Sequence, residues 1–254
     1  MDFKTIFKDN NFTEQGGVFY FGASPKEIKP SKDENAQDQS RWSYWRKKNY
    51  EFFKEELGNL PKNSVLVDLG AGQSDFLDLT SKFNLCAVDF YPYLGINVVC
   101  DLTKPLPFGD NSVDILMLSN LIEHIPEPNL LFVECRRILK PGGVALGTVP
   151  FMINIHQRPY DFYRYTEMNL DYLFKKHNFE NISIKPVLAT YIVFFNALTS
   201  FFVGAIRGAK FPGNLILRIL WKLTRIKFKI LTPVFKRFSS DPDMPLGYLF
   251  KAQK

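Results

Sequence analysis

A short apolar segment that ends in an acid and two glycines constrains the fold of this chain most. The segment spans Val65–Gly72 and reads VLVDLGAG. Its apolar run is typical of a strand buried on both faces of a sheet, and glycines permit a tight turn that lets backbone approach a ligand closely. Because the residues from Gln73 to Phe83 favour a helix, the turn joins a strand to a helix. Nucleotide-like ligands bind at such junctions in open α/β sheets.

Later segments repeat this pattern along the chain. A second apolar run ends in Asp89, 21 positions after Asp68, which is about where an acid accepts hydrogen bonds from ribose hydroxyls. A third run ends in Asp101, and a fourth ends at Ser119 and Asn120. A helix is predicted over about 129–139 and a fifth strand over 144–149. Strands that alternate with helices in this way predict an α/β fold.

Five motifs in this order resemble those of class I S-adenosylmethionine-dependent methyltransferases of the type 11-like group. They are DLGAG at 68–72, VDFYP at 88–92, CDLTKPLPF at 100–108, SNLIEHI at 119–125 and LKPGG at 139–143. The resemblance covers about 64–187. It implies a Rossmann-like α/β fold with a seven-stranded sheet, and S-adenosyl-L-methionine as the cofactor.

The resemblance also implies which residues bind the cofactor. In the family the glycine loop holds the methionine part, the acid after the second strand binds the ribose, and the acid after the third strand lies near adenine. Carried onto this sequence, the cofactor-binding residues are Asp68, Gly70, Ala71, Gly72, Asp89, Phe90, Asp101, Leu102 and Asn120. Asp75 argues against a dinucleotide, because a negative charge there would oppose a pyrophosphate. Each acid alone is also compatible with a turn or a helix cap.

The length allows one large domain with an appendage, and four segments are predicted. Residues 1–63 form an N-terminal helical and loop cap, 64–187 the cofactor-binding domain, 188–240 a basic amphipathic insertion, and 241–254 the last strand. Residues 16–22 favour a short hairpin. In the aromatic helix predicted at 41–57, Tyr44 and Trp45 either cover the cofactor or pack on the sheet. The three cysteines lack metal-binding spacing, so no metal site is expected. No signal-peptide pattern is found at the N-terminus, so a reducing cytosolic location is expected.

The loop after the fifth strand is the predicted acceptor site, because it begins at the same sheet edge as the glycine loop. Its sequence HQRPYDFYRYT at 156–166 resembles a subgroup associated with bacterial surface-glycan synthesis. A sugar hydroxyl has a high pKa, so a general base assists its methylation. His156 is the predicted base, His124 a positioning residue and Asp161 the competing base, whereas Glu123 is expected to be structural. Alternatively, the polar residues only hold the loop together.

The C-terminal region carries a strongly basic segment. Residues 181–240 contain ten basic residues and no acid, and 187–206 form an uncharged run of 20 residues. Residues 214–231 are amphipathic, with a basic stripe formed by Arg218, Lys222, Arg225 and Lys229. We expect a helical hairpin that binds an anionic membrane surface through 188–237. A spanning helix is disfavoured because the last strand must return to the sheet. Nucleic acid explains the cations but not the apolar run; a partner-protein groove or a small subdomain are further alternatives.

These observations together predict an enzyme that methylates a sugar of a lipid-linked or membrane-proximal glycan. It is expected in the cytoplasm, peripheral on the inner face of the membrane. Two alternatives stay open: a methyltransferase for a lipid or quinone headgroup, and a non-catalytic, membrane-tethered partner that binds the cofactor. The acceptor atom and the oligomeric state are left undecided.

Overall fold

The structure is a computed structural model, which describes residues 2–22, 42–73, 76–210, 212–238 and 243–254. The described residues form one sheet of nine strands with helices around it. The strands are β1 (Thr13–Gln15), β2 (Val18–Tyr20), β3 (Val65–Leu69), β4 (Asn84–Asp89), β5 (Val98–Val99), β6 (Val113–Ser119), β7 (Leu139–Pro150), β8 (Glu180–Pro186) and β9 (Gly247–Gln253). The helices are α1 (Tyr44–Gly58), α2 (Leu77–Thr80), α3 (Pro128–Ile138), α4 (Glu167–Lys176), α5 (Thr190–Gly208) and α6 (Gly213–Phe238).

The strand order is β1-β2-β5-β4-β3-β6-β7-β9-β8. The six strands from β2 to β7 in this order pair in parallel, whereas β9 is antiparallel to both β7 and β8. From β3 the chain runs outward to β4 and β5, and then returns to place β6 on the other side of β3. The strand order therefore reverses between β3 and β6, where open α/β sheets bind their ligands.

The apolar runs of the central strands are explained by burial on both faces of the sheet. Leu66 of β3 packs with Phe52 and Phe53 of α1 on one face. Its neighbour Val67 joins the core on the other face, which includes Leu131 of α3. Successive side chains of a strand point to opposite faces, so a strand covered on both sides is continuously apolar.

The sheet is larger than the seven strands predicted. The hairpin expected near residues 16–22 is present as β1 and β2, which turn at Gly16 and Gly17 with φ angles of 59° and 79°. Strand β2 then pairs in parallel with β5. The N-terminal segment is therefore part of the sheet as well as a cap, because its strand covers an edge that would otherwise have unpaired backbone groups.

Two further boundaries differ from the predictions. The helix expected over Gln73–Phe83 is confined to the four residues of α2, and Asp75 lies outside the described residues. The residues predicted to form a turn, 140–143, belong to β7, which begins at Leu139 because that residue already pairs with Val113.

Helices α5 and α6 lie between β8 and β9, the position predicted for a helical hairpin. They pack through aromatic rings: Phe195 of α5 stacks on Phe228 of α6 with ring centroids 4.2 Å apart. Phe202 of α5 similarly stacks on Trp221 at 5.0 Å. The two helices leave the sheet together and return to it, since β8 and β9 are hydrogen-bonded neighbours.

Candidate active site

The glycine loop after β3 is fastened to β4. The backbone N–H groups of Gly70 and Ala71 both donate to the carbonyl of Val88, each at 2.9 Å. Gly70 has a φ of 75°, and a Cβ there would lie 2.8 Å from Cδ1 of Leu121. Gly72 has a φ of 56°, and no atom of a described residue lies within 4 Å of its Cβ position. Position 70 thus needs glycine for conformation and for space, whereas the described residues leave the space beside Gly72 open.

Asp89 joins the glycine loop to the end of β4. Its Oδ2 accepts a hydrogen bond from the N–H of Gly72, and its Oδ1 accepts one from the N–H of Tyr91, each at 2.9 Å. Each carboxylate oxygen has more than one lone pair, so the same group suits the ribose hydroxyls predicted for it. The next side chain, Phe90, is 48% exposed, and Asp68 is buried in β3.

Asp101 ends the third predicted strand in a turn. Its Oδ1 accepts hydrogen bonds from the N–H of Thr103 at 3.0 Å and from the Thr103 hydroxyl at 2.6 Å. Partial burial raises the pKa of Asp101, but these hydrogen bonds and the charge of Lys104 outweigh it and lower the pKa overall. Leu102 is buried. Asp101 therefore forms a turn, which is one of the two roles considered for it. Its lowered pKa keeps the carboxylate charged at the sheet edge.

Asn120 follows β6 and connects it to the N-terminal helix. It has a φ of 50°, and its Oδ1 accepts a hydrogen bond of 2.8 Å from Nε1 of Trp45. Tyr44 instead packs against Tyr191 at the base of α5, with ring centroids 6.1 Å apart. Of the two aromatic residues proposed to cover the cofactor, Trp45 is the one in contact with a predicted cofactor-binding residue.

The loop after β7 is held together by an ion pair. The guanidinium of Arg164 donates to both carboxylate oxygens of Asp161, at 2.6 and 2.8 Å. Oδ2 of Asp161 also accepts the backbone N–H of His156 at 2.8 Å. These hydrogen bonds hold the pKa of Asp161 well below its usual range, and the contribution of Arg164 is the largest. Asp161 is therefore a poor proton acceptor, and it shapes the loop that carries His156.

Two histidines and a glutamate meet where this loop contacts the end of β6. Glu123 and His124 lie in the single 3₁₀ turn Ile122–His124. Oε1 of Glu123 lies 3.7 Å from Nε2 of His124 and 3.9 Å from Nε2 of His156. The two imidazole rings are 5.0 Å apart. The fold therefore brings together the two predicted histidines, and it adds Glu123, which was expected to be structural.

Burial controls the charges in this cluster. The carboxyl of Glu123 has no exposed surface, and this burial raises its pKa to about 8. Burial also lowers the pKa of His124, whose Nδ1 is hydrogen-bonded to the carbonyl of Tyr160. His124 is thus neutral at pH 7, with its proton on Nδ1 because a carbonyl oxygen only accepts.

Sequence comparison identifies the central α/β unit. Residues 55–147, from the end of α1 into β7, match the family model described as methyltransferase domain. An uncharacterized methyltransferase of Mycobacterium sp. (strain KMS) is 49% identical over 97 residues, which cover 34% of this chain and 38% of the relative. Another from Mycobacterium avium (strain 104) is 51% identical over 41 residues. The relatives matched over 41 residues are covered over only 16% of their own length.

Solved structures share the fold. Phosphoethanolamine N-methyltransferase 2 of Haemonchus contortus, in complex with S-adenosyl-L-methionine, has 18% identity and a TM-score of 0.52, with 82% of this chain and 52% of that chain covered. The [4+2]-cyclase SpnF has 16% identity and a TM-score of 0.52, with 85% and 84% covered.

Over residues 55–147 the chain is similar to methyltransferase domains, and it shares its fold with a protein solved in complex with S-adenosyl-L-methionine. The residues at the sheet edge fit that cofactor. No atom of a described residue occupies the space beside Gly72, and Asp89 presents its carboxylate at the loop. The structural likenesses bear on the fold and not on the substrate.

Proposed function

We propose that this chain is an S-adenosylmethionine-dependent methyltransferase that methylates a hydroxyl group on a lipid-linked or membrane-proximal glycan. One observation carries the proposal. The loop after β7 brings His156 against Glu123 and His124, in the turn that follows Leu121, the residue that packs on Gly70. The cluster able to activate an acceptor thus adjoins the loop assigned to the cofactor.

The residues of the glycine loop would hold the cofactor, which supplies an electrophilic methyl group when bound. Gly70 and Gly72 shape the loop for the methionine part, and Asp89 is assigned to the ribose. Asn120, fixed by Trp45, borders the same edge at the end of β6. The chain must then align an acceptor oxygen with the methyl group, at about 3–3.5 Å.

His156 is the residue assigned to the acceptor proton. With the cofactor bound, Nε2 of His156 would accept the proton of the acceptor hydroxyl as that oxygen takes the methyl group which the cofactor supplies. Glu123 lies beside that nitrogen. Burial raises the pKa of Glu123 to about 8, so its charge would stabilise the imidazolium near and above that pH, where it is ionised. Asp161 accepts the backbone N–H of His156 and is paired with Arg164, so it positions the base and does not replace it. His124 orders the other side of the cluster.

The α5–α6 hairpin supports a membrane-bound acceptor. Helix α5 is the one helix within the described residues with the length and composition to cross a membrane. Only 11% of the residues in its most apolar stretch are buried. Large apolar side chains of α6 are between 47% and 70% exposed: Leu215, Ile216, Ile219, Leu220, Leu223, Ile226 and Ile230.

The charges of the hairpin favour anionic lipid as its partner. Arg218, Lys222, Arg225 and Lys229 are exposed on α6, and residues 181–240 contain no acid. Each cation near an anionic surface contributes about 1 kcal/mol to binding. These charges support the proposal that the protein binds the cytoplasmic face of a membrane. A nucleic acid would use the cations but leave the exposed leucines and isoleucines in water.

The hairpin also suits a second acceptor, a lipid or quinone headgroup. One protein that shares the fold is named a phosphoethanolamine N-methyltransferase, but at 18% identity it supports the fold only. The polar loop with His156, Asp161 and Arg164 favours a hydroxylated acceptor, because such groups hydrogen-bond a sugar.

The test is methyl transfer from deuterium-labelled S-adenosylmethionine to membrane extracts, read by mass spectrometry. Label in a methylated sugar of a glycolipid supports the proposal. Label in a phospholipid or quinone headgroup supports the second acceptor instead. Cofactor binding without transfer to any acceptor would make the chain a non-catalytic partner. The Asp89→Ala protein is the matched control for label that does not depend on the cofactor site.

A further inference from the structure

The cluster of Glu123, His124 and His156 brings lone pairs together in a buried space. For His124, the Nδ1 atom is hydrogen-bonded to the carbonyl of Tyr160. A carbonyl can only accept, so Nδ1 carries the ring proton. In the neutral ring Nε2 then carries a lone pair and no proton. This nitrogen lies 3.7 Å from Oε1 of Glu123.

His156 has the same arrangement. Its Nδ1 lies 3.3 Å from the carbonyl oxygen of Asn154 and 3.4 Å from Oδ2 of Asp161. Both partners are acceptors, which places the proton of a neutral ring on Nδ1. The lone pair of Nε2 is then directed at Glu123, 3.9 Å from Oε1.

Glu123 supplies a third acceptor. Its side chain has no exposed surface, and neither carboxylate oxygen makes a hydrogen bond to another described residue. Nε2 of His124 is likewise buried without such a bond. One ligand atom from each of the three residues lies within 4.8 Å of the others. Such a buried group of lone pairs is satisfied in one of two ways: by a proton on Glu123, whose pKa burial raises to about 8, or by a cation that displaces this proton and contacts all three residues.

We propose that these three atoms bind a divalent transition-metal cation. Two imidazole nitrogens and one carboxylate oxygen are a ligand set that suits zinc and its neighbours. Tetrahedral ligands at about 2.0–2.1 Å from zinc lie about 3.4 Å from each other, so the distances of 3.7 and 3.9 Å need little contraction.

The surroundings of the two histidines match those of metal ligands. Metal-bound histidines donate their second N–H to a carbonyl or a carboxylate, which fixes the ring and its tautomer. Here the carbonyl of Tyr160 serves His124, and the carbonyl of Asn154 and the carboxylate of Asp161 serve His156. No metal site was expected from the sequence, because the ligands come from two loops far apart in the chain.

Three protein ligands leave a coordination position for another molecule. A hydroxyl coordinated there loses its proton to water more readily, so the cation would replace His156 as the means of activating the acceptor. This use of the cation rests on the proposed function. Cation binding itself does not, and it is tested without any acceptor.

The experiment uses full-length protein stripped of metal with a chelator and then dialysed. Titration with Co²⁺, followed by visible absorption, and with Zn²⁺, followed by calorimetry, is expected to show one saturable site. His156→Ala should weaken binding by at least about tenfold, and Glu123→Gln should do the same. His177→Ala is the matched control, because His177 caps α4 near Asn129, and its binding should equal that of the unchanged chain.

Absence of a saturable site, or equal binding by the His156→Ala protein, would overturn the inference. His156 is only partly buried, so its variant decides the matter if Glu123→Gln does not fold. S-adenosylmethionine binding is measured in the same samples. Failure to bind S-adenosylmethionine while the cation binds would contradict the proposed function and leave the cation site standing.

Discussion

Trp45 donates a hydrogen bond of 2.8 Å from its indole Nε1 to Oδ1 of Asn120. The same ring lies against Gly247, where a Cβ would be 2.5 Å from ring atom Cη2. One side chain of α1 therefore links the end of β6, where the cofactor is predicted to bind, to the first residue of β9, at the base of the α5–α6 hairpin. Helix α1 thus contacts a predicted cofactor-binding residue as well as covering the sheet.

Trp45→Phe should lower the affinity for S-adenosylmethionine by about two- to twelvefold, because a hydrogen bond of this kind contributes about 0.5–1.5 kcal/mol. Isothermal titration calorimetry measures the change. Tyr44→Phe removes a hydroxyl from the neighbouring residue, which packs on Tyr191 instead, and it should leave the affinity unchanged. Equal affinities for the two variants would show that Asn120 does not need its indole partner.

Asp89→Ala should reduce the affinity for S-adenosylmethionine by more than about tenfold. The change removes the acceptor of the Gly72 and Tyr91 N–H groups as well as the proposed partner of the ribose, and hydrogen bonds to a charged group contribute about 1.5–3 kcal/mol. Asp171→Ala, on an exposed pair with Lys175, is the control for loss of an acid. Unchanged affinity would contradict the ribose assignment.

Gly70→Ala should destabilise the fold more than Gly72→Ala does. Both positions have positive φ, but only at Gly70 does the new Cβ meet Leu121, at 2.8 Å. Residues held in this region of φ cost about 1–3 kcal/mol, and the clash adds to this at position 70. Urea unfolding measures the loss of stability in each variant, and the difference between the two losses is the contribution of the clash with Leu121. Equal losses of stability would show that Leu121 moves aside freely.

His156→Ala should lower kcat by about 10²- to 10⁴-fold, the usual contribution of a general base. Its affinity for S-adenosylmethionine should stay close to that of the unchanged chain, because the residue lies in the acceptor loop. His177→Ala serves as the control. Normal turnover of the His156 variant would move the proton-accepting role to another member of the cluster.

Neutralising the basic stripe of α6 should release the protein from anionic vesicles. In this variant Arg218, Lys222, Arg225 and Lys229 become glutamine, which removes about 1 kcal/mol of attraction per cation. Flotation with vesicles of phosphatidylglycerol and phosphatidylcholine measures the loss. The matched control replaces four exposed lysines elsewhere in the chain, namely Lys47, Lys54, Lys62 and Lys175.

Removal of the hairpin gives a stricter test of the same surface. Its two ends are adjacent: the N–H of Val187 donates to Gly247 at 2.8 Å, and the N–H of Leu246 donates to Val187 at 2.9 Å. A short linker in place of residues 190–243 therefore keeps β8 and β9 paired. This variant should bind S-adenosylmethionine and stay in solution, and its continued flotation would reject the hairpin as the membrane contact.

The central strands were predictable because burial on both faces leaves a local mark. In β3, β4 and β6 the apolar run itself predicts the strand, and the glycines after β3 predict the turn. The hairpin of β1 and β2 was predicted near its glycines, but the place of β2 in the sheet depends on pairing with the distant strand β5. The early start of β7 was missed for a similar reason, because Leu139 pairs with Val113 of β6.

The sequence by itself determined the α/β order, the glycine loop, the acids at the strand ends and the basic amphipathic region, because these follow from neighbouring residues in the chain. Only the tertiary structure brought His156 to Glu123 and His124, and Trp45 to Asn120. Those contacts join segments far apart in sequence, and they exist because the parallel sheet gathers the carboxyl ends of its strands at one edge. Glu123 became a candidate ligand for that reason: its burial and its facing lone pairs are properties of the packed loops and not of the motif.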